Sequence, residues 1–168
     1  TIDGTDYLLG MGFDISQRKQ AEKALRESEA LYRIFAERMT ESVILFHDFK
    51  IIFVNDALLA MQKYGDKSQV LKKNIMELVA EEFAIYFREL FEAVQKGINN
   101  ERYFQGRWLT HENAEIWVAG RANRIQWKGL PTVLLTIRDI TEEKQKEISM
   151  QEEAENLRRE NVNLRSSM

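Results

Sequence analysis

The chain has 168 residues, 44% hydrophobic and 30% charged, with 24 basic against 27 acidic side chains and a formal net charge of −3. That is material for one domain of ordinary size with charged extensions, and the near balance of charge argues against a dedicated nucleic-acid surface. Cysteine is absent, which excludes disulfides, thiolate metal sites and cysteine nucleophiles, and no apolar run approaches the roughly 20 residues needed to cross a bilayer. A cytoplasmic location is therefore expected.

Taken in order, Tyr7 to Phe13 is apolar and glycine-spaced and reads as a short strand. From Ser16 the pattern turns helical. Arg18, Ala21, Leu25, Ser28, Tyr32, Phe35 and Met39 alternate in spacing between three and four, the period of a coiled-coil seam, with Leu25, Tyr32 and Phe35 as its packing positions. Two β-rich runs follow, Val43–His47 and Ile51–Val54, joined by a turn at Asp48-Phe49-Lys50. Asn55 then opens a helical stretch that stops at Tyr64-Gly65, where glycine is the expected terminator. A longer helix is predicted from about Ala80 to Lys96, with Phe83, Phe87, Leu90, Phe91 and Val94 on one face and Gly97 after its end. Three strands come next, Arg102–Thr110, Glu115–Trp127 and Thr132–Arg138, with connections suited to antiparallel hairpins. The order predicts an α+β fold: a five-stranded antiparallel sheet with helices on one face. Beyond Thr141 a polar helix carries one stripe that includes Met150, Ala154, Leu157, Asn161 and Leu164, again at alternating spacing. Such a helix needs a partner to bury that stripe, and a second copy of the chain is the economical one. Asn161 at a core position favours a parallel homodimer, because paired buried Asn side chains penalise other registers.

Asp139-Ile140-Thr141-Glu142-Glu143-Lys144, a strand end followed at once by a charged helix, resembles the C-terminal boundary of PAS domains. The first hairpin, Val54-Asn55-Asp56-Ala57 and Trp117-Val118 match the same family in order, over about Leu31 to Lys144. Asp139 or Thr141 can accept hydrogen bonds from the first helical turn, coupling strand to helix through Asp139, Ile140 and Thr141. Asp14-Ile15-Ser16 after the Tyr7–Phe13 run echoes Asp139-Ile140-Thr141 about one such domain earlier. The expected organisation is therefore residues 1–15 as the final strand of a preceding PAS domain, 16–39 as a linker helix, 40–141 as the PAS domain and 142–168 as a coiled-coil signalling helix. The last segment, Leu157-Arg158-Arg159-Glu160-Asn161 with Leu164-Arg165, resembles the linker before the ATPase domain of enhancer-dependent bacterial transcription activators. Comparable linkers lead into histidine kinases and diguanylate cyclases.

The resemblance implies a small-molecule site between the sheet and the helices. Candidate wall residues are Phe53, Leu58, Met61, Ile75, Phe83, Phe87, Phe91 and Leu134, with Val43, Leu45 and Leu78, and each has the alternative of simply filling a core. Haem-binding members use an axial histidine on the long helix. Here that helix has none, and His47 and His111 fall near turns. Covalent flavin chemistry needs a cysteine that is absent; non-covalent FAD, another unidentified small organic molecule, or no ligand at all stay open. In the fourth strand, alternation sets Trp117, Ala119, Arg121, Asn123 and Ile125 on one face and Ile116, Val118, Gly120, Ala122 and Arg124 on the other. Neither face is cleanly apolar. If the first faces inward, Trp117, Arg121 and Asn123 line the cavity and Arg121 can hold a ligand carboxylate; if the second does, Arg121 is solvated. No nucleophile–base pair, metal-ligand spacing or phosphate loop is visible, so catalysis is not expected. The function implied is a sensory and dimerisation module of a bacterial signal-transduction protein, serving two-component signalling or transcription regulation; the alternative is a non-sensing dimerisation spacer.

Overall fold

The computed structural model describes residues 4–166, with side chains from residue 15 onward. Two units, Thr1–Met39 and Thr40–Met168, are described each by itself.

In the first unit a single helix, α1 (Gly4–Arg38), takes in Tyr7–Phe13, so the strand expected there is helical in this chain. A strand without a neighbour leaves its amide and carbonyl groups unpaired, whereas a helix satisfies them within the segment. Leu25, Tyr32 and Phe35 are 61%, 65% and 61% exposed.

The second unit follows the predicted order: β1 (Ser42–His47), β2 (Lys50–Val54), α2 (Asp56–Gln62), α3 (Ala84–Gln95), β3 (Glu101–Leu109), β4 (Glu115–Trp127), β5 (Leu130–Asp139) and α4 (Thr141–Ser166). The strands form one antiparallel sheet in the order β2-β1-β5-β4-β3. Asp48 and Phe49, both at positive φ, make the two-residue turn from β1 to β2; Lys128 and Gly129 do the same between β4 and β5. Three short 3-10 turns, Lys67–Gln69, Ile75–Leu78 and Glu81–Phe83, lead from α2 to α3. The long helix thus begins at Ala84 rather than Ala80, because the chain enters it through a tighter turn. The end of α2 also differs from expectation. Lys63, at φ 64°, is the left-handed cap, and its amide bonds to the Leu59 carbonyl, so Gly65 is not the terminator.

Asn55 fastens α2 to the sheet. It is fully buried, and its Oδ1 accepts from Leu58 N at 3.1 Å and Val43 N at 2.9 Å, while its Nδ2 donates to the Glu41 carbonyl.

Cross-strand register settles the sheet's faces. Val54, Ile44, Leu135 and Ala122 share one row on the core side. Phe53, Leu45, Leu134 and Asn123 share the next row, on the opposite face, and Val43, Thr136, Arg121 and Tyr103 a third row on that same face. The core lies between the first face and α2, α3 and the 3-10 turns.

Candidate functional site

The interior is filled by side chains. Phe46, Phe87, Phe91 and Trp108 are fully buried and Phe104 nearly so. Their rings meet mostly edge to face: Phe46–Phe91 at 5.0 Å, Phe87–Phe104 at 5.4 Å, Phe87–Trp108 at 5.8 Å. Such pairs add about 0.5–1.5 kcal/mol each beyond the area they bury. Gly106 and Gly120 make the room. A Cβ on Gly106 would strike the Phe87 ring and come within 3.1 Å of Phe83, and one on Gly120 would strike the Thr136 carbonyl and stand 2.8 Å from Phe104.

Of the candidate wall residues, Leu58, Ile75, Leu78, Phe87 and Phe91 are in this core, and Met61 and Phe83 pack against it half-buried. The other seven are not. Phe53, Leu134, Trp117, Arg121 and Asn123 alternate onto the opposite face of the sheet, as do Val43 and Leu45. The inward assignment of β4 belongs instead to Val118, Gly120, Ala122 and Arg124. Arg121 forms an ion pair with Glu101 at 2.9 Å and donates to the Tyr103 hydroxyl at 2.9 Å. With Tyr103, Gln105, Ala119, Thr136 and Arg138 it lines an open surface depression of about 800 Å³. Arg124, half-buried, has its partner at a helix end: its Nε donates to the Gln95 carbonyl at the end of α3, where free carbonyls and the helix dipole favour a cation.

Among the described residues, the buried amide of Gln62 and the indole Nε1 of Trp108 have no hydrogen-bond partner. Burial, with the nearby Glu77 carboxylate, pushes the Tyr64 phenol above its ordinary range; its ring lies 4.8 Å from that of His111. No group of three His, Asp or Glu among those residues is placed to hold a metal ion.

The junction between β5 and α4 is the second candidate site. Asp139 Oδ1 accepts from Thr141 N at 2.9 Å and Thr141 Oγ1 at 2.6 Å. Thr141 Oγ1 in turn accepts from Trp117 N at 3.0 Å, and Ile140 N donates to the Trp117 carbonyl at 2.8 Å. Ile140 is 4% exposed, so it closes the domain. One non-helical residue therefore separates strand from helix, and its neighbours are bonded back to β4.

Beyond it, α4 has no buried residue: Met150, Leu157 and Leu164 are 70%, 56% and 60% exposed, and Ala154 and Asn161 are exposed too. No helix among the described residues is long and apolar enough to cross a membrane.

Arg107 and Lys144 escaped the sequence reading. Arg107 pairs with Glu82 and, at 2.8 Å, with Glu115; its guanidinium stands 5.7 Å from both the Phe83 and Trp117 rings. Lys144 Nζ lies 5.2 Å from the Trp117 ring. Counting back from the Thr110–Ala114 loop places Arg107 directly across from Trp117, which is the signal that could have found it.

Comparison with known proteins agrees with this architecture. The family model described as PAS domain matches residues 40–142. Sporulation kinase A of Bacillus subtilis is 22% identical over 134 residues, which is 80% of this chain; the chain spans only 22% of that relative's length. Among solved structures, the PAS domain of an HTR-like protein from Haloarcula marismortui superposes with a TM-score of 0.59 at 24% identity, covering 73% of this chain and 99% of that one. A PAS domain from a two-component sensor histidine kinase gives 0.55 at 21% identity, covering 70% and 98%.

Proposed function

The chain belongs to the PAS domain family, and from that premise we propose that it is a cytoplasmic sensory and dimerisation module that relays the state of its small domain through α4 to an effector. The observation that carries this reading is the tied junction: β5 passes into α4 with one intervening residue, held by Asp139, Thr141 and the Trp117 backbone. A displacement of β4 or β5 is thereby a displacement of the helix. Its exposed stripe at Ala154, Leu157, Asn161 and Leu164, together with Leu25, Tyr32 and Phe35 of α1, is the seam of a parallel homodimer in this reading. A signal needs to favour one helix pairing over another by only about 1–3 kcal/mol to be passed on. The likeness to part of a sporulation kinase favours a kinase over a transcription-activator ATPase or a cyclase as the effector.

Truncation after Lys144 tests the proposal: sedimentation should show weaker self-association, and an unchanged mass would remove the dimer relay. A second reading is supported by the ring-filled interior: the module spaces and pairs effectors without sensing a small molecule. Calorimetry and native mass spectrometry separate the two, since a retained or titratable organic ligand belongs to the sensor and an empty, unresponsive domain to the spacer.

A further inference from the structure

We propose that the Arg107–Trp117 pair is the transmission element through which the segment leading into α3 sets the order of the first turns of α4. The inference rests on the relay reading above and assigns it a route.

Arg107 grips that segment three ways. Its carbonyl accepts from Ala80 N at 3.0 Å, its guanidinium pairs with Glu82, and the same guanidinium lies over the Phe83 ring. Trp117 grips α4 three ways as well: its amide donates to Thr141 Oγ1, its carbonyl accepts from Ile140, and its ring receives Lys144. Arg107 and Trp117 are directly paired across β3 and β4, and the guanidinium lies over the indole. The Phe83 ring meets the Trp117 ring edge to face at 5.8 Å and the Phe87 ring of the core at 6.3 Å. Phe83 is thus in contact with the interior on one side and with the Trp117 clamp on the other. Arg107 and Lys144 are three-quarters covered, their side chains 25% and 22% exposed, so their charges act on the indole with less solvent screening than surface charges do.

Hydrogen exchange on the full chain tests the route, read at the amides of residues 144–147, the first of α4 with acceptors inside the turn. Phe83→Leu should speed their exchange about two- to fivefold, the size of one cation–π contact. Lys144→Gln should do the same alone, and Phe83→Leu added to it should do nothing further. Lys144→Arg, which also stacks on indole, should keep both the slow exchange and the response to Phe83→Leu. An equal effect of Phe83→Leu with and without Lys144→Gln, or no effect in either, overturns the proposal, because a residue that merely supports the fold acts additively. Protection of the β5 amides checks that each variant is folded. If Phe83→Leu loses it, Glu82→Gln perturbs the same segment from an exposed position and faces the same two outcomes. Sedimentation of the same samples keeps the two claims apart: a monomer at every concentration defeats the dimer relay, while the exchange data still decide the clamp.

Discussion

Replacing Gly120 by alanine should destabilise the second unit by about 1–3.5 kcal/mol, and the structure says where that comes from. The added Cβ would fall inside the contact radius of the Thr136 carbonyl oxygen and 2.8 Å from the Phe104 ring, with the Ile137 Cα at 3.2 Å. The first obstacle is backbone in the paired strand β5, which cannot rotate away. Overpacking of this kind costs about 1–3 kcal/mol. Turning Phe104 off its rotamer, against its stacked partner Trp108, adds about 0.5–1.5 kcal/mol. The narrower unfolded ensemble of alanine returns about 0.4–1 kcal/mol. For a unit of this size the loss corresponds to a fall in Tm of roughly 4–15 °C. Gly65→Ala is the control: its nearest neighbour would be a side-chain oxygen of Gln69 at 3.6 Å, and its φ is not positive, so its Tm should hold or rise by up to about 4 °C. Thermal unfolding followed by circular dichroism measures both. Equal midpoints for the two variants would refute the claim that β4 and β5 approach too closely at Gly120 for any side chain.

Asn55→Ala should cost about 2–4 kcal/mol, since it strands the buried amides of Val43 and Leu58 and the Glu41 carbonyl; a loss below about 1 kcal/mol by urea unfolding would contradict the bonding described. Asn161→Leu should strengthen self-association while loosening its register, read by sedimentation and position-specific cross-linking, and a loss of association would take Asn161 out of the seam. Tyr64 should ionise above the ordinary tyrosine range when absorbance is followed at alkaline pH, and Tyr64→Phe should delete that late step. Because the folded pKa is the higher one, the phenol's contribution to stability is whole below the unfolded value of about 10 and is lost as pH climbs through the folded value.

In the second unit, strand and helix order were legible because periods change cleanly, whereas the short apolar run Tyr7–Phe13 fitted strand and helix alike and is helical. The faces of β4 were not legible. Trp117 and Ile125 make one face look interior, Val118 and Ala122 the other, and an arginine falls on each. What decides is remote in sequence. The α3 C-terminus supplies a carbonyl for Arg124, and Glu101 and Tyr103 supply partners for Arg121. The same ignorance of β5's register put Leu134 in the pocket, and the apolar character of Phe53 disguised its outward row. Gly106 and Gly120 likewise look like loose points in strands until the rings they admit are seen across the core.

A ring-filled interior constrains how a signal could enter. Phe87 touches Phe83, Tyr86, Phe91, Phe104 and Trp108, so nothing sizeable can occupy the core without moving several of these rings together. Close packing makes such a shift discrete rather than graded, because each ring has few staggered alternatives. Phe83 sits at the margin of that cluster, half-buried, with Trp117 on its other side. On the route proposed above, motion of the cluster would have an outlet that does not require the sheet to bend: Phe83 would shift, Arg107 would follow its carboxylate and its ring, and the indole beneath Lys144 would change its seat. A guest able to hydrogen-bond would find the buried, unpartnered indole nitrogen of Trp108, which packs on Phe87. A guest drawn to that nitrogen would press on the ring next to Phe83. Input and output would then meet at a pair of adjacent phenylalanines, at the mouth of α3.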